Sequence, residues 1–284
     1  MIDKYEELKR IDKELMELDE SKRRYFTVRP PAIPEREQVI RIIKLMQSLM
    51  FCEYFPLDEG CADREGRLER LFDLLKMQLG AAFSFEGKTD VVDTESIALD
   101  ILGRLPYIKE ALIKDVQAIY EGDPAAVSPE EVILSYPGFY AISIYRIAHE
   151  FYLRKIPYIS RLMTEFAHEK TGIDIHAGAT VGEYFFIDHG TGVVIGETTT
   201  IGDRVKIYQG VTLGAKSFEL DGDGNPIKGI KRHPDIGNNC VIYANATILG
   251  GNTKIGDGSV IGAGVWLTSS VEPGTTVYYG RNNK

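Results

Sequence analysis

Apolar residues follow two different periods along this chain. Through the first half they recur every three or four positions with charges between them, the stripe of an amphipathic helix. Ile2, Tyr5, Leu8, Ile11, Leu15 and Leu18 form the first stripe. The segment from Arg29 to Pro34, "RPPAIP", breaks it, because proline lacks an amide and disfavours helix in the residue before it. The same spacing predicts helices over Glu37 to Met50, Arg64 to Leu79, Thr94 to Leu105, Pro106 to Tyr120 and Tyr140 to Leu153. Residues 1–170 are therefore expected to form an all-helical domain.

The period changes near Ile173. Ile175, Val181, Ile187 and Val193 stand six apart; Ile195, Ile201, Ile207 and Leu213 form a second register; Ile236, Ile242 and Ile248 a third; Leu249, Ile255, Ile261 and Leu267 a fourth. Glycine follows the apolar position at Gly182, Gly196, Gly202, Gly214, Gly237, Gly256 and Gly262. Neither a helix nor a flat strand repeats every six residues. A β-helix does, each hexad forming one short side of a coil with its apolar residue pointing into the axis. Residues 171–284 are accordingly assigned to a β-helix, which makes the chain α+β. The repeat breaks at "DHGTGVVI", over Gly214 to Ile236, and by a single residue at "ILGGNTKI". A stacked scaffold extrudes such insertions as loops, where binding groups are usually found.

Composition narrows the classes. With 284 residues and 44% apolar content the chain can bury a real core. Lys plus Arg total 33 against 42 Asp plus Glu, a net charge of −9, which offers no general footprint for nucleic acid. The N-terminus "MIDKYEELKR" is charged from its third residue, and no apolar run approaches the ~20 residues that span a bilayer, so a soluble, cytoplasmic protein is expected. Cys52, Cys61 and Cys240 form neither a disulfide framework nor a CxxC pair and are expected to be ordinary thiols in a reducing compartment.

Five histidines carry most of the candidate chemistry. His149 and His168 lie in helical patterns and suit packing or surface roles; His176 follows the first apolar corner and suits a solvated outward position. His189 and His233 differ, each standing in a register break beside charge, as "DH" and "RHP". An imidazole accepts a proton near neutral pH, and a neighbouring carboxylate fixes its tautomer. Asp174 precedes His189 by 15 residues, close to one coil, and Asp188 adjoins it. The long interruption holds Lys216, Lys228, Lys231 and Arg232, a local basic patch, of which arginine best matches a carboxylate. Its "DGDGN" lacks the terminal glutamate of an EF-hand loop and is expected to be a turn.

"DIHAGATVGEYFFIDHGTGVVIGETTTIGDRVKIYQGVTLGA", "KRHPDIGNNCVIYANATILG" and "IGDGSVIGAG" closely resemble the serine O-acetyltransferases, hexapeptide-repeat enzymes that open cysteine biosynthesis. The likeness extends upstream through "KDVQAIYEGDPAA" and "YPGFYAISIYRIAHEFYLRKIP", covering roughly Lys114 to Gly264. The resemblance implies a left-handed parallel β-helix, trimers or dimers of trimers, and active sites between neighbouring subunits. It implies His189 as general base with Asp174 orienting it, Asp123 and Asp188 holding the substrate amino acid, and Arg232 on its carboxylate with His233 nearby. Acetyl-CoA would lie along the coils at Gly214, Ala215, Ala244 and Ala263, with no metal required. Competitive feedback inhibition by L-cysteine is implied in the same way.

Two departures qualify the resemblance. The loop over residues 215–232 is longer than in familiar bacterial members, and Ala215-Lys216 replaces their glycine-rich continuation. The chain ends at Lys284 rather than in the isoleucine that docks members onto O-acetylserine sulfhydrylase, so that complex is expected to be weak or absent. Three alternatives stay open: a related acetyltransferase acting on a sugar hydroxyl, a γ-type carbonic anhydrase binding zinc through His176, His189 and His233, and a non-enzymatic trimeric scaffold.

Overall fold

The structure, a computed structural model, describes residues 4–21, 32–56, 63–88 and 92–280. Ile2, the start of the proline-rich break, Cys61 and the tail up to Lys284 lie outside the described residues. Eight described helices come first: α1 (Lys4–Ser21), α2 (Arg36–Met50), α3 (Arg64–Phe85), α4 (Thr94–Gly103), α5 (Leu105–Gly122), α6 (Pro129–Ser135), α7 (Pro137–Leu153) and α8 (Ile159–Thr171). The five helices expected beyond α1 all occur. α3 continues past Leu79 through a run of small and aromatic residues, and α7 starts three residues early because Pro137 fits its first turn. Spacing singled out neither α6 nor α8; α6 is capped by Ser128, whose Oγ accepts from the Glu131 amide at 3.2 Å, while the Glu131 carboxylate reaches back to the Val127 amide at 2.7 Å. The apolar stripe of α1 buries none of its residues.

From Asp174 the described residues wind into fourteen short parallel strands in three sheets, a left-handed β-helix. We number them β1 (Asp174–Ile175), β2 (Thr180–Val181), β3 (Phe186–Ile187), β4 (Val194–Ile195), β5 (Thr200–Ile201), β6 (Lys206–Ile207), β7 (Thr212–Gly214), β8 (Asp235–Ile236), β9 (Val241–Ile242), β10 (Thr247–Leu249), β11 (Lys254–Ile255), β12 (Val260–Ile261), β13 (Trp266–Leu267) and β14 (Thr276–Val277). The first sheet runs β1-β4-β7-β10-β13, the second β2-β5-β8-β11 and the third β3-β6-β9-β12-β14. Inward residues stack coil on coil: Ile175, Ile195, Leu213, Ile248 and Leu267 in one ladder, Ile187, Ile207, Ile242, Ile261 and Val277 in another. Burying each such side chain stabilises the coil by about 1.5–3 kcal/mol.

The register differs from the expected one at two places. Ile195, not Val193, stacks on Ile175, so the first coil takes twenty residues where the next, from Ile195 to Leu213, takes eighteen. The surplus sits at the turn containing His189. Likewise Leu267 stacks on Ile248 rather than on Leu249, with the residues around Gly250 absorbing the extra position.

The helices grip the first coil through polar groups. Asp115 of α5 is fully buried and takes a two-pronged pair from Arg146 of α7, Nε to Oδ2 at 2.5 Å and NH2 to Oδ1 at 2.8 Å. Arg146 also donates to the Gly182 carbonyl at 2.8 Å, and Asp115 accepts from the Phe185 amide at 2.9 Å. His149 meets the Ala177 carbonyl through Nδ1 at 2.7 Å, a packing role, whereas His168 is exposed 3.7 Å from Glu165. Cys240 is buried and its Sγ lies 3.2 Å from the Gly256 carbonyl. No described helix is long and apolar enough to cross a membrane.

Removing one partner of a buried ion pair strands the other charge. Arg146→Met is expected to cost about 3–5 kcal/mol, read as a lowered urea midpoint at fixed protein concentration; an unchanged midpoint would show that the pair does not hold helices to coil.

Candidate active site

The β-helix is a triangular prism, and its chemistry lies on two of the three long edges. Turns from third-sheet strands to first-sheet strands make one edge; turns from first-sheet to second-sheet strands make another.

The first edge holds His189. Its backbone is left-handed (φ 56°), as are those of Gly190 (φ 85°) and Gly192 (φ 80°). A Cβ at Gly190 would collide with Ile173, so the glycine permits both the angle and the close approach. This geometry throws the imidazole out of the coil, leaving 72% of the side chain exposed, while Asp188 keeps only 13%. His189 Nε2 lies 3.9 Å from Asp188 Oδ1. Asp123, at the end of α5, comes to the same edge. Its Oδ1 accepts from the Ala125 amide at 2.9 Å and its Oδ2 from the Tyr136 hydroxyl at 2.6 Å. Those two bonds, Tyr136 first, hold its carboxyl below the usual range, helped by the charges of Lys206 and His189. Lys206 Nζ donates to the Gly122 carbonyl at 2.7 Å and stands 4.3 Å from the Phe186 ring centre.

The second edge holds Arg232 and His233. Arg232 pairs with Glu197 at 2.5 Å, and Glu197 also accepts from the Tyr152 hydroxyl at 2.9 Å. His233 is 7% exposed, and its Nδ1 accepts from the Thr198 amide at 3.1 Å. The Thr198 hydroxyl in turn accepts from the amides of Arg232 and His233, at 3.0 and 3.1 Å. Burial, then the neighbouring Arg232 guanidinium, pushes the His233 imidazole down to about 4. It is thus neutral at neutral pH, and its amide bond at Nδ1 places the proton on Nε2, a neutral donor. A Cβ at Gly196 would strike this ring, so the glycine after β4 makes room for it.

Not every expected neighbour is brought together. Among the described residues Asp174 makes no ion pair or hydrogen bond with His189; it lies on β1, in register with Val194. His176 departs from its expected solvated position. It is half-buried on the second edge, its ring edge-on to Tyr152 at 5.8 Å and its Nδ1 accepting from the Gly178 amide at 3.0 Å, with Glu197 and Arg232 as charged neighbours. Because His189 occupies a different edge, the three imidazoles do not converge within one chain. The four expected CoA positions divide likewise: Ala244 and Ala263 lie in turns of the His189 edge, whereas Gly214 and Ala215 lead into the loop of the Arg232 edge. That loop is a hairpin, with Leu220 bridged to Pro226 and the "DGDGN" turn closed by Asp221 accepting from the Asp223 and Asn225 amides.

Sequence reasoning missed Tyr136, Tyr152, Glu197, Thr198 and Lys206. Lys206 had no clean signal, since it comes into register with Phe186 only because the first coil takes twenty residues rather than eighteen. Glu197 stands one coil above the residue after His176. The two tyrosines had none, because only helix packing brings them in.

A helical domain leading into a β-helix whose turns carry imidazoles, carboxylates and a guanidinium defines the hexapeptide-repeat transferase class. Comparison with known proteins narrows this. The family described as "Serine acetyltransferase, N-terminal" matches residues 69–143, and "Hexapeptide repeat of succinyl-transferase" matches residues 235–269. A plasmid-encoded serine acetyltransferase of Synechococcus elongatus is 57% identical over 260 residues, covering 86% of this chain and 81% of that one. The Bacillus subtilis serine acetyltransferase is 47% identical over 166 residues, 58% of this chain and 72% of its own. Entamoeba histolytica serine acetyltransferase 1, solved in complex with L-cysteine, superposes with a TM-score of 0.74 at 39% identity, covering 84% of this chain and 86% of that one. The Neisseria gonorrhoeae enzyme, solved with serine, gives 0.58 at 31%, covering 86% and 92%. The chain belongs to the serine acetyltransferase family.

The depressed His233 imidazole makes an acid-stability prediction. Its folded value, about 4, lies below the ~6.5 of a free imidazole, so the unfolded chain takes up the proton first as pH falls. Its contribution is whole above about pH 6.5 and is lost progressively toward about pH 4. The urea midpoint should decline across that window less steeply in His233→Gln; equal slopes would contradict the buried neutral imidazole.

Proposed function

We propose that this protein is a serine O-acetyltransferase, moving the acetyl group of acetyl-CoA to the hydroxyl of L-serine to give O-acetyl-L-serine and CoA. The observation that carries the reading beyond family membership is the exposed imidazole of His189 on the edge that also holds Asp188 and the constrained Asp123. A serine hydroxyl is a weak nucleophile at neutral pH and needs a base at hydrogen-bond distance. His189 accepts the hydroxyl proton as the serine oxygen attacks the thioester carbonyl, then returns it to the departing thiolate. Acetyl transfer is direct, with no covalent enzyme intermediate.

The amino acid needs opposite charges for its two ends. Asp123 and Asp188 receive the ammonium, and Arg232 receives the carboxylate with the second face of its fork, the first being held by Glu197. These groups stand on different edges of one prism, which supports a site completed between copies of the chain, in a trimer or a dimer of trimers. His189 and Asp123 come from one copy, Arg232 and His233 from its neighbour. The neutral Nε2 donor of His233 suits the oxygen on which negative charge develops. Across the same seam Gly214 and Ala215 face Ala244 and Ala263, small residues that leave room for the pantetheine arm of CoA. Asp174 orients His189 within the assembled site.

In this reading residues 1–170 serve assembly and supply Asp123, while residues 171–284 carry the transfer chemistry. L-cysteine, with the same two charged ends, competes for the serine position. The setting is cytoplasmic.

Free-thiol release from acetyl-CoA by the purified protein tests the reading. Release should depend on L-serine and be absent with a sugar panel or no acceptor; release with a sugar and none with serine would overturn the substrate. His189→Asn should keep the oligomer and lower kcat by roughly 10²–10⁴-fold, as for a lost general base. Wild-type turnover in that variant would remove His189 from the mechanism.

A further inference from the structure

We propose that Tyr136 is a positioning residue for the amino-acid end of the site: its hydroxyl fixes Asp123 relative to Asp188 and His189 so that the carboxylate meets the substrate ammonium. The inference rests on the reading of Asp123 as the ammonium's partner.

Asp123 is the residue that ends α5, and the contact within its own loop reaches only one of its two oxygens. Both are nonetheless engaged. The Ala125 amide holds Oδ1 from within the loop, while the Tyr136 hydroxyl holds Oδ2 from thirteen residues away at 2.6 Å, the length of a charge-assisted bond. A carboxylate accepts at about four lone-pair positions, so two remain for an ammonium.

Tyr136 has a rigid base. It stands between α6 and α7, its amide donating to the Val132 carbonyl at 3.2 Å, and Pro137 opens α7 directly after it. One residue further, Gly138 packs so closely on β3 that a Cβ there would collide with the Ile187 carbonyl. Ile187 immediately precedes Asp188 and His189. A short, stiff path therefore runs from the His189 turn through Ile187, Gly138 and Tyr136 to Asp123, joining two groups that come from different domains of the chain. On the other side Lys206 tethers the Gly122 carbonyl, so the backbone before Asp123 is held as well.

Asp123 in turn tightens the hold of Tyr136 on its proton. The hydrogen bond to the carboxylate, with some burial, pushes the phenol up to about 12.

Steady-state kinetics on the full chain, with Tyr136→Phe, Asp123→Asn and the double variant, test the proposal. Tyr136→Phe deletes one oxygen and leaves the helix junction intact. The KM for L-serine should rise about five- to twenty-fold, with kcat within about two-fold and the KM for acetyl-CoA unchanged. The inhibition constant for L-cysteine should rise by a similar factor. In the Asp123→Asn background the Tyr136→Phe change should add nothing. An unchanged serine KM, an equal loss for both substrates, or the same fold-change in the Asp123→Asn background would overturn the positioning role. Asp123→Asn with a normal serine KM would instead sink the reading of Asp123, and is seen separately in the single variant.

Discussion

Everything in the second half of the chain depends on one packing constraint: each coil must place its inward apolar residue on that of the coil before it. Parallel hydrogen bonding enforces this, since a slip of one residue would turn the whole apolar set outward. Along Ile187, Ile207, Ile242, Ile261 and Val277 the rule holds without interruption. His189, Arg232 and His233 leave this wall where the chain carries surplus residues. Two surplus residues give the left-handed turn of His189, and the long hairpin before β8 gives Arg232 and His233. The fold thus sets these groups at its edges.

The two edges are electrostatically unlike. His189 stands mostly in solvent, with Asp188 beside it. His233 is buried against Thr198 and next to a guanidinium, an environment that refuses a proton. The same side chain is therefore exposed on one edge and buried in its neutral form on the other. What joins the helices to this scaffold is also polar: the buried Asp115 and Arg146 pair fixes α5 and α7 on the first coil, and α5 ends at Asp123.

Much of this was legible in the sequence. The six-residue period announced the β-helix, and the two breaks announced His189, Arg232 and His233, because departures from a strict repeat are visible in one dimension. The frame of the first coil was less so: Val193 and Ile195 are both apolar and both buried, and only strand pairing distinguishes them. The tie from Tyr152 through Glu197 to Arg232 joins a helix, a turn and a hairpin, and no spacing rule links such residues. His176 looked solvated because the sequence carries no sign that Tyr152 covers it. Counting hexads put Asp174 close to one coil from His189; the two surplus residues of the first coil change that spacing and bring Asp174 into register with Val194.

The central claim is that one catalytic centre takes His189 from one copy and Arg232 from its neighbour. Hybrids assembled from His189→Asn and Arg232→Ala subunits test it most directly, since each parent has every site damaged. Random assortment in a cyclic oligomer should restore both residues at about a quarter of the sites, and activity should return to that order. Hybrids no more active than their parents would place both groups in the same copy and contradict the account.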